Sequence, residues 1–211
     1  MNDTDKKPQT LLFSATVPSW VKEISDKYQD SRCSTIDLIG NTQISIPKTI
    51  KHFKYLLSGN SKVNYVMADI CKRFLSKNGR AIIFCETKRE VKELYDSFND
   101  SKCKMLHGDI KQYERERIYS DFKTGKVLKV IATNVAARGL DFPDIELVIQ
   151  KEPPKHIESY IHRAGRTGRA GKEGKCIVLL EKRDQHRILS LEEKGCFKFS
   201  ELRDSDLKKS H

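Results

Sequence analysis

No C-x-x-C pair and no Cys/His group with zinc spacing occurs around the six cysteines, Cys33, Cys71, Cys85, Cys103, Cys176 and Cys196. No metal site is therefore expected, and the cysteines fit a reducing cytosolic or nuclear compartment. Several lie inside apolar runs, IIFC (82–85) and KCIVLL (175–180), where cysteine packs as a small hydrophobe. No apolar run approaches the roughly 20 residues that cross a bilayer. The first residues, MNDTDKKPQT, hold no hydrophobic leader. Neither a membrane partner nor a secreted protein is expected. Blocks of five or more like charges are missing, which excludes a basic tail. Aromatic residues make up only 8%, a weak basis for binding by stacking. Tyr55, Phe84, Tyr95 and Phe98 fall on apolar faces and are expected in the core. Tyr113, between Gln112 and Arg115, is left open, and His52 and His156 are expected at the surface. Internal repeats and low-complexity segments are also missing.

The sequence does have length and positive charge. Its 211 residues suit one α/β domain of ordinary size, or one domain with a short appendage. A hydrophobic share of 37% beside 33% charged residues fits a globular chain. The net charge of +11 favours a polyanionic partner, nucleic acid first. Residues 1–50 are balanced, so the excess belongs to the remainder.

Apolar runs with strand character fall at 10–15, 50–57, 80–86, 103–107, 129–133, 146–150 and 175–180. Amphipathic helices stand between them. One carries Val63, Val66, Met67, Ile70, Cys71 and Phe74; another carries Val91, Leu94, Tyr95 and Phe98. Thr87 and Glu90 have capping-box spacing at the start of the second. A third runs from about Lys111 to Lys123 and stops at Gly125. A fourth carries Ile157, Tyr160, Ile161 and Ala164, and the last covers about 182–194. Short, nearly continuous apolar strands alternating with helices predict a parallel sheet covered on both faces. Ligands of such sheets bind at the carboxyl ends of the strands. Those ends carry Glu86-Thr87, His107-Gly108-Asp109, Thr133-Asn134 and the loop before Asp141.

Two segments stand out chemically. YIHRAGRTGRAGKEG (160–174) sets Arg163, Arg166 and Arg169 at spacing three, interleaved with glycines. Guanidinium groups bind phosphate oxygens bidentately, and glycines let backbone approach a ligand. VIATNVAARGLDFP (130–143) follows a strand with Thr133, then Gly139 and Asp141. A strand-end hydroxyl suits a phosphate backbone, and an isolated Asp suits a ribose hydroxyl. The phosphate loop G-x-x-x-x-G-K-[ST] appears nowhere; Gly171-Lys172 is followed by Glu173.

SAT (14–16), IIFCET (82–87), LHGD (106–109), Q-x-x-R (112–115), ATNVAARGLD (132–141) and HRAGRTGR (162–169) occur in the order and spacing of DEAD-box RNA helicases, and nearly the whole chain resembles that family. FCETK, ATNVAARGLD and PPKHIESYIHRAGRTGRAG are most similar to the Gu-type nucleolar members. The resemblance implies an α/β, RecA-like three-layer fold, a parallel sheet with helices on both faces. It divides the chain into the end of a first helicase domain (1–30), a linker (31–49), a C-terminal helicase domain (50–200) and a polar tail (201–211).

The same resemblance implies site residues. Arg166 and Arg169 resemble arginine fingers at the ATP phosphates, with Gly139 and Asp141 also at the nucleotide. Ser14, Thr16, His162 and Arg163 resemble residues that couple the two helicase domains. Thr87, Gly108, Asp109, Arg115 and Thr133 resemble RNA-backbone contacts. Implied partners are RNA, ATP and an N-terminal helicase domain, in the nucleus or nucleolus, with cytoplasm as the alternative. The implied cofactor is ATP, with Mg²⁺ held mainly by that N-terminal domain. Its phosphate loop, Q-motif and DEAD tetrad are not in these 211 residues. The chain alone is therefore expected not to hydrolyse ATP. Two alternatives remain: a stand-alone RNA-binding module, and a fragment of a DNA helicase of the same superfamily. The RNA-type motif set argues against the second.

Overall fold

A computed structural model describes residues 9–13, 19–30, 32–36, 46–59, 61–137 and 142–207. The chain forms two compact units, Met1–Asn41 and Thr42–His211. In the first, the α-helix α1 (Ser19–Tyr28) ends in a side-chain bond from Ser25 Oγ to Gln29 Oε1 at 2.5 Å. Residues 10–13 form no strand, although a strand over 10–15 is expected, and Leu11, Leu12 and Phe13 are exposed. An isolated strand leaves its backbone groups unpaired, and no described strand of this unit supplies a ladder. Ser14 and Thr16 lie outside the described residues.

The second unit is built on seven parallel strands. They are β1 (Ile50–Leu56), β2 (Arg80–Cys85), β3 (Cys103–Leu106), β4 (Lys129–Thr133), β5 (Ile145–Gln150), β6 (Gly174–Leu180) and β7 (Ser200–Leu202), in the order β3-β4-β2-β5-β6-β1-β7. Side chains alternate across the pleat, so each strand feeds two cores. Ile82, Phe84, Val130, Val148, Cys176 and Val178 face one side; Ala81, Ile83, Ile131, Leu147, Ile149 and Ile177 face the other. The first core is covered by α4 (Gln112–Lys123), α5 (Ile157–Ala164) and α6 (Gln185–Gly195) through Ile118, Phe122, Ile157, Tyr160, Ile188 and Leu191. The second is covered by α2 (Val63–Phe74) and α3 (Lys88–Phe98) through Met67, Ile70, Val91, Leu94 and Phe98. The layers are helix, sheet, helix, as the apolar pattern predicts.

Local signals act as read. Thr87 caps α3, and both halves of the capping box with Glu90 form. Just beyond α4, Gly125 takes φ +79°, the left-handed turn that glycine accepts without strain. Two further features differ from the sequence reading. First, β7 and the one-turn helix α7 (Asp204–Leu207) reach into the segment expected to be a polar tail. Three residues pair with β1, and Leu202 enters the core, a pattern too short to register as hydrophobic periodicity.

Second, His52 is buried, not at the surface. It lies on the inward face of β1, opposite Cys176, with its Nδ1 2.5 Å from Tyr160 Oη and Phe197 at 4.5 Å between centroids. Tyr160, Phe197 and Phe199 pack against the ring and enclose it.

Burial pulls the His52 imidazole from 6.5 down to about 4. The folded chain therefore holds it neutral, while the unfolded chain protonates it below about 6.5. The corresponding stability is whole above the unfolded value and is lost as pH falls through the window between 6.5 and about 4. The loss is up to about 1.4 kcal/mol per pH unit. Urea unfolding across that window is expected to show a steeper decline for wild type than for His52→Leu. Parallel declines would contradict it.

Candidate RNA and nucleotide interface

Strand register decides which residues meet. Leu106 pairs with Ala132, and Cys85 with Thr133, so β3, β4 and β2 end level with one another. Their next residues emerge on one edge: Glu86-Thr87 from β2, His107-Gly108-Asp109 from β3 and Thr133-Asn134 from β4. The structure therefore brings together Thr87, Gly108, Asp109 and Thr133. Arg115 joins them from α4, where its Nη2 donates to the carbonyl of Ala136 in the turn after β4, at 3.1 Å. Arg115 Nε is buried with no partner.

The edge is held by short polar links. Lys88 Nζ lies 2.8 Å from Asp109 Oδ2, joining the start of α3 to the β3–α4 loop. That ammonium holds the Asp109 carboxyl below the usual carboxylate range. Glu90 Oε2 accepts from the Thr87 backbone N–H at 3.0 Å and from its hydroxyl at 3.1 Å. Lys151, just past β5, pairs with the other Glu90 oxygen. Burial pushes the Glu90 carboxyl up, but Lys151 and the Thr87 donors outweigh it and leave it lowered. Neighbouring Glu152 goes the other way, because burial and the negative charges of Glu90 and Glu86 exceed the help of Lys151 and Arg187. Around Gly108 no atom stands where a side chain would point, so glycine leaves the backbone open to approach.

The arginine segment sits differently. Arg163, at the end of α5, is 3% exposed and its Nη2 donates to Glu86 Oε1 at 2.8 Å. Its guanidinium lies over the Phe84 ring, 5.6 Å from the centroid, and Nε and Nη1 have no partner. His162 is exposed on the same helix. Arg166 and Arg169 follow on the turn, half-buried and exposed; each uses Nε to hold the carbonyl four residues back, His162 O at 3.3 Å and Gly165 O at 2.9 Å. Both carbonyls lie at the unsatisfied end of the helix, where a cation is favoured.

The turn itself is stapled to the sheet. Thr167 Oγ1 donates to Ile145 O at 2.5 Å, and Thr49 Oγ1 to Gly168 O at 2.8 Å. Gly168 takes φ +69°, and a Cβ there would stand 2.6 Å from Ile50 Cγ1, so only glycine fits. Ile145 and Ile50 open their strands, so Arg166 and Arg169 flank the amino side of the sheet. Only Arg163 reaches the carboxyl-edge cluster. Gly139 and Asp141 lie outside the described residues. Among the described residues no group of three or more His, Cys, Asp or Glu is placed to hold a metal ion. Lys88, Glu90 and Lys151 were missed as parts of this site, and Glu86 stood at a strand end without a role. Of the three missed, only Glu90 carried a signal, its capping-box spacing.

Glu86→Ala would leave the Arg163 guanidinium buried without its carboxylate. The expected cost is about 2 kcal/mol, below the roughly 3–5 of a fully buried pair, because Glu86 is 41% exposed. Glu86→Gln keeps an acceptor and is expected to cost about 1 kcal/mol. Urea denaturation checks both; unchanged stability in Glu86→Ala would show that the pair holds nothing.

The model of the helicase conserved C-terminal domain matches residues 61–171. Nucleolar RNA helicase 2 of Mus musculus is 41% identical over 201 residues, covering 95% of this chain and 24% of the relative. DEAD-box ATP-dependent RNA helicase 7 of Oryza sativa subsp. japonica is 42% identical, covering 93% of this chain and 28% of the relative. The chain thus spans about a quarter of the length of the curated relatives it matches. Among solved structures, S. cerevisiae Dbp5 bound to RNA and ADP BeF3 superposes with a TM-score of 0.76 at 28% identity, over 90% of this chain and 50% of that one. With a sheet of parallel strands between two helix layers and the motif residues at its edges, the chain belongs to the helicase conserved C-terminal domain family, as a RecA-like domain of the DEAD-box RNA helicases.

Proposed function

We propose that the chain serves as the C-terminal half of an ATP-dependent RNA helicase, supplying arginine fingers to the nucleotide and half of the RNA-backbone site. The observation that carries this reading is the carboxyl edge, where Thr87, Gly108, Asp109, Arg115 and Thr133 converge from β2, β3, β4 and α4. Their groups suit phosphates and 2′-hydroxyls and read no base edges, so binding is sequence-independent. The names of the relatives and the RNA and ADP BeF3 in the Dbp5 structure support the reading. In it, residues 1–30 are the closing segment of a first helicase domain, with Ser14 and Thr16 as coupling residues beside His162 and Arg163. Residues 50–200 are the second domain. A nucleolar site of action is part of this reading, and the nucleolar name of the mouse relative supports it.

ATP fits the residues described. Arg166 and Arg169 stand on a glycine turn fixed to two strand starts, with their Nε groups anchored on the helix end. Such pre-set guanidinium groups bind phosphate and stabilise charge that develops on it. Gly139 and Asp141 complete the nucleotide side in this proposal. Bound ATP supplies the phosphoryl group that is hydrolysed, and Mg²⁺ belongs with the N-terminal helicase domain.

The test is an ATPase assay on the chain alone and with an N-terminal half carrying G-x-x-x-x-G-K-T and DEAD. Alone, the chain is expected to turn over no ATP; mixed, it is expected to restore RNA-stimulated turnover. Arg166→Ala and Arg169→Ala are each expected to lower the restored rate on the order of 10²–10³-fold. Turnover by the chain alone, or full activity in both variants, would overturn the assignment. RNA binding without any restored turnover would favour the stand-alone binding module.

A further inference from the structure

Two residues, Thr167 and Gly168, separate Arg166 from Arg169, and each is bonded to a different part of the sheet. Thr167 Oγ1 donates to Ile145 O at the start of β5. Gly168 O accepts from Thr49 Oγ1 at 2.8 Å. This second donor comes from outside both chemically distinctive segments: Thr49 stands just before β1, 119 residues away in sequence. Thr49 also spans the turn with its main chain. Its carbonyl accepts from the Gly174 N–H at 3.0 Å, so one residue grips the turn at Gly168 and at its exit into β6. Thr49 is itself held, because the Ile50 N–H donates to Pro47 O at 3.1 Å and closes a tight turn over residues 47–50.

Gly168 O and the Arg169 nitrogen belong to one planar peptide unit. A bond on that oxygen therefore orients the peptide from which Arg169 hangs. Glycine cannot do this alone, because without a Cβ its backbone rotates more freely than that of any other residue. Ile50 leaves no room for a side chain there, so the restraint has to come from a partner across the turn. We propose that Thr49 is a positioning residue for Arg169: its hydroxyl sets the peptide plane that aims the guanidinium, without touching the nucleotide. The Nε bond to Gly165 O, at 2.9 Å, then restrains the side chain itself. The inference rests on the finger reading of Arg169. Magnitude separates this role from a structural one. One neutral hydrogen bond at a half-buried threonine adds little to global stability. A misplacement of about 1 Å in a group that stabilises a transition state costs up to about 10²-fold in rate.

The test measures RNA-stimulated ATP turnover by the 211-residue chain mixed with the N-terminal half described above. Thr49→Val keeps the side-chain shape and removes the hydroxyl. It is expected to lower kcat about 10- to 10²-fold, with little change in the KM for ATP. Its circular-dichroism melt is expected to fall by no more than about 4 °C. Thr49→Ala is expected to match it, which excludes a steric fault peculiar to valine. Thr49→Ser restores the hydroxyl and is expected to recover most of the rate. The decisive arm is coupling: on the Arg169→Ala background, Thr49→Val is expected to cost nothing further. Wild-type kcat in Thr49→Val overturns the inference, as does a Thr49→Ser as slow as Thr49→Val. So does a loss on the Arg169→Ala background as large as on wild type. A melt that falls further in both Thr49→Val and Thr49→Ala makes the bond structural and overturns it too. A slow Arg169→Ala beside a fully active Thr49→Val removes this inference alone. Full activity in Arg169→Ala, or no restored turnover by wild type, removes the functional reading and this inference with it.

Discussion

Parallel register across β3, β4 and β2 is the constraint on which the rest of the structure depends. Because the strands run one way and end level, loops from three strands open on one edge and their side chains meet without a dedicated scaffold. Antiparallel strands would send alternate loops to opposite edges. The register is in turn enforced by burial on both faces. A slip of one residue in β2 would turn Ile82 and Phe84 from one core into the other, and every neighbour with them. Positions of Thr87 and Thr133 are therefore consequences of packing several residues away.

Charge is arranged on top of that frame in links between elements. Lys88–Asp109 joins α3 to the β3–α4 loop, Lys151–Glu90 joins β5 to α3, and Arg163–Glu86 joins α5 to β2. Exposed pairs such as the first contribute little to stability. Their consequence is orientation: each fixes which lone pair or proton a neighbouring group presents. These three paired cations add nothing to the net charge; what they do is set the direction of neighbouring acceptors.

Much of this was legible in the sequence, for a physical reason. Six of seven strands and the helices beside them carry long apolar faces, and apolar periodicity is what burial imprints on sequence. β7 escaped because three residues paired at an edge leave no period, and residues 10–13 misled because an apolar run becomes a strand only when a partner ladder exists. His52 escaped because one histidine carries no periodic signal, and its burial depends on Tyr160, Phe197 and Phe199, distant in sequence. The site was legible as a set of residue types but not as a set of roles. Spacing cannot say that the Thr87 hydrogen is already spent, since that depends on Glu90 and, through it, on Lys151 some 60 residues away in sequence.

Burial also separates three arginines that sequence spacing presents as equivalent. Arg166 and Arg169 stay toward solvent on a turn fixed by Thr167 and Gly168, which suits cations that meet an outside phosphate. Arg163 is enclosed, with two nitrogens unpartnered and a single carboxylate on its third. If stability were the only requirement, an apolar side chain over Phe84 would serve better, because a buried guanidinium costs more in lost hydration than one partly exposed partner returns. What an apolar side chain would not supply is a direct bond from the arginine segment to Glu86, the residue before Thr87. Arg163 thereby ties the end of α5 to the residue after β2, at the expense of an incompletely satisfied charge in the core.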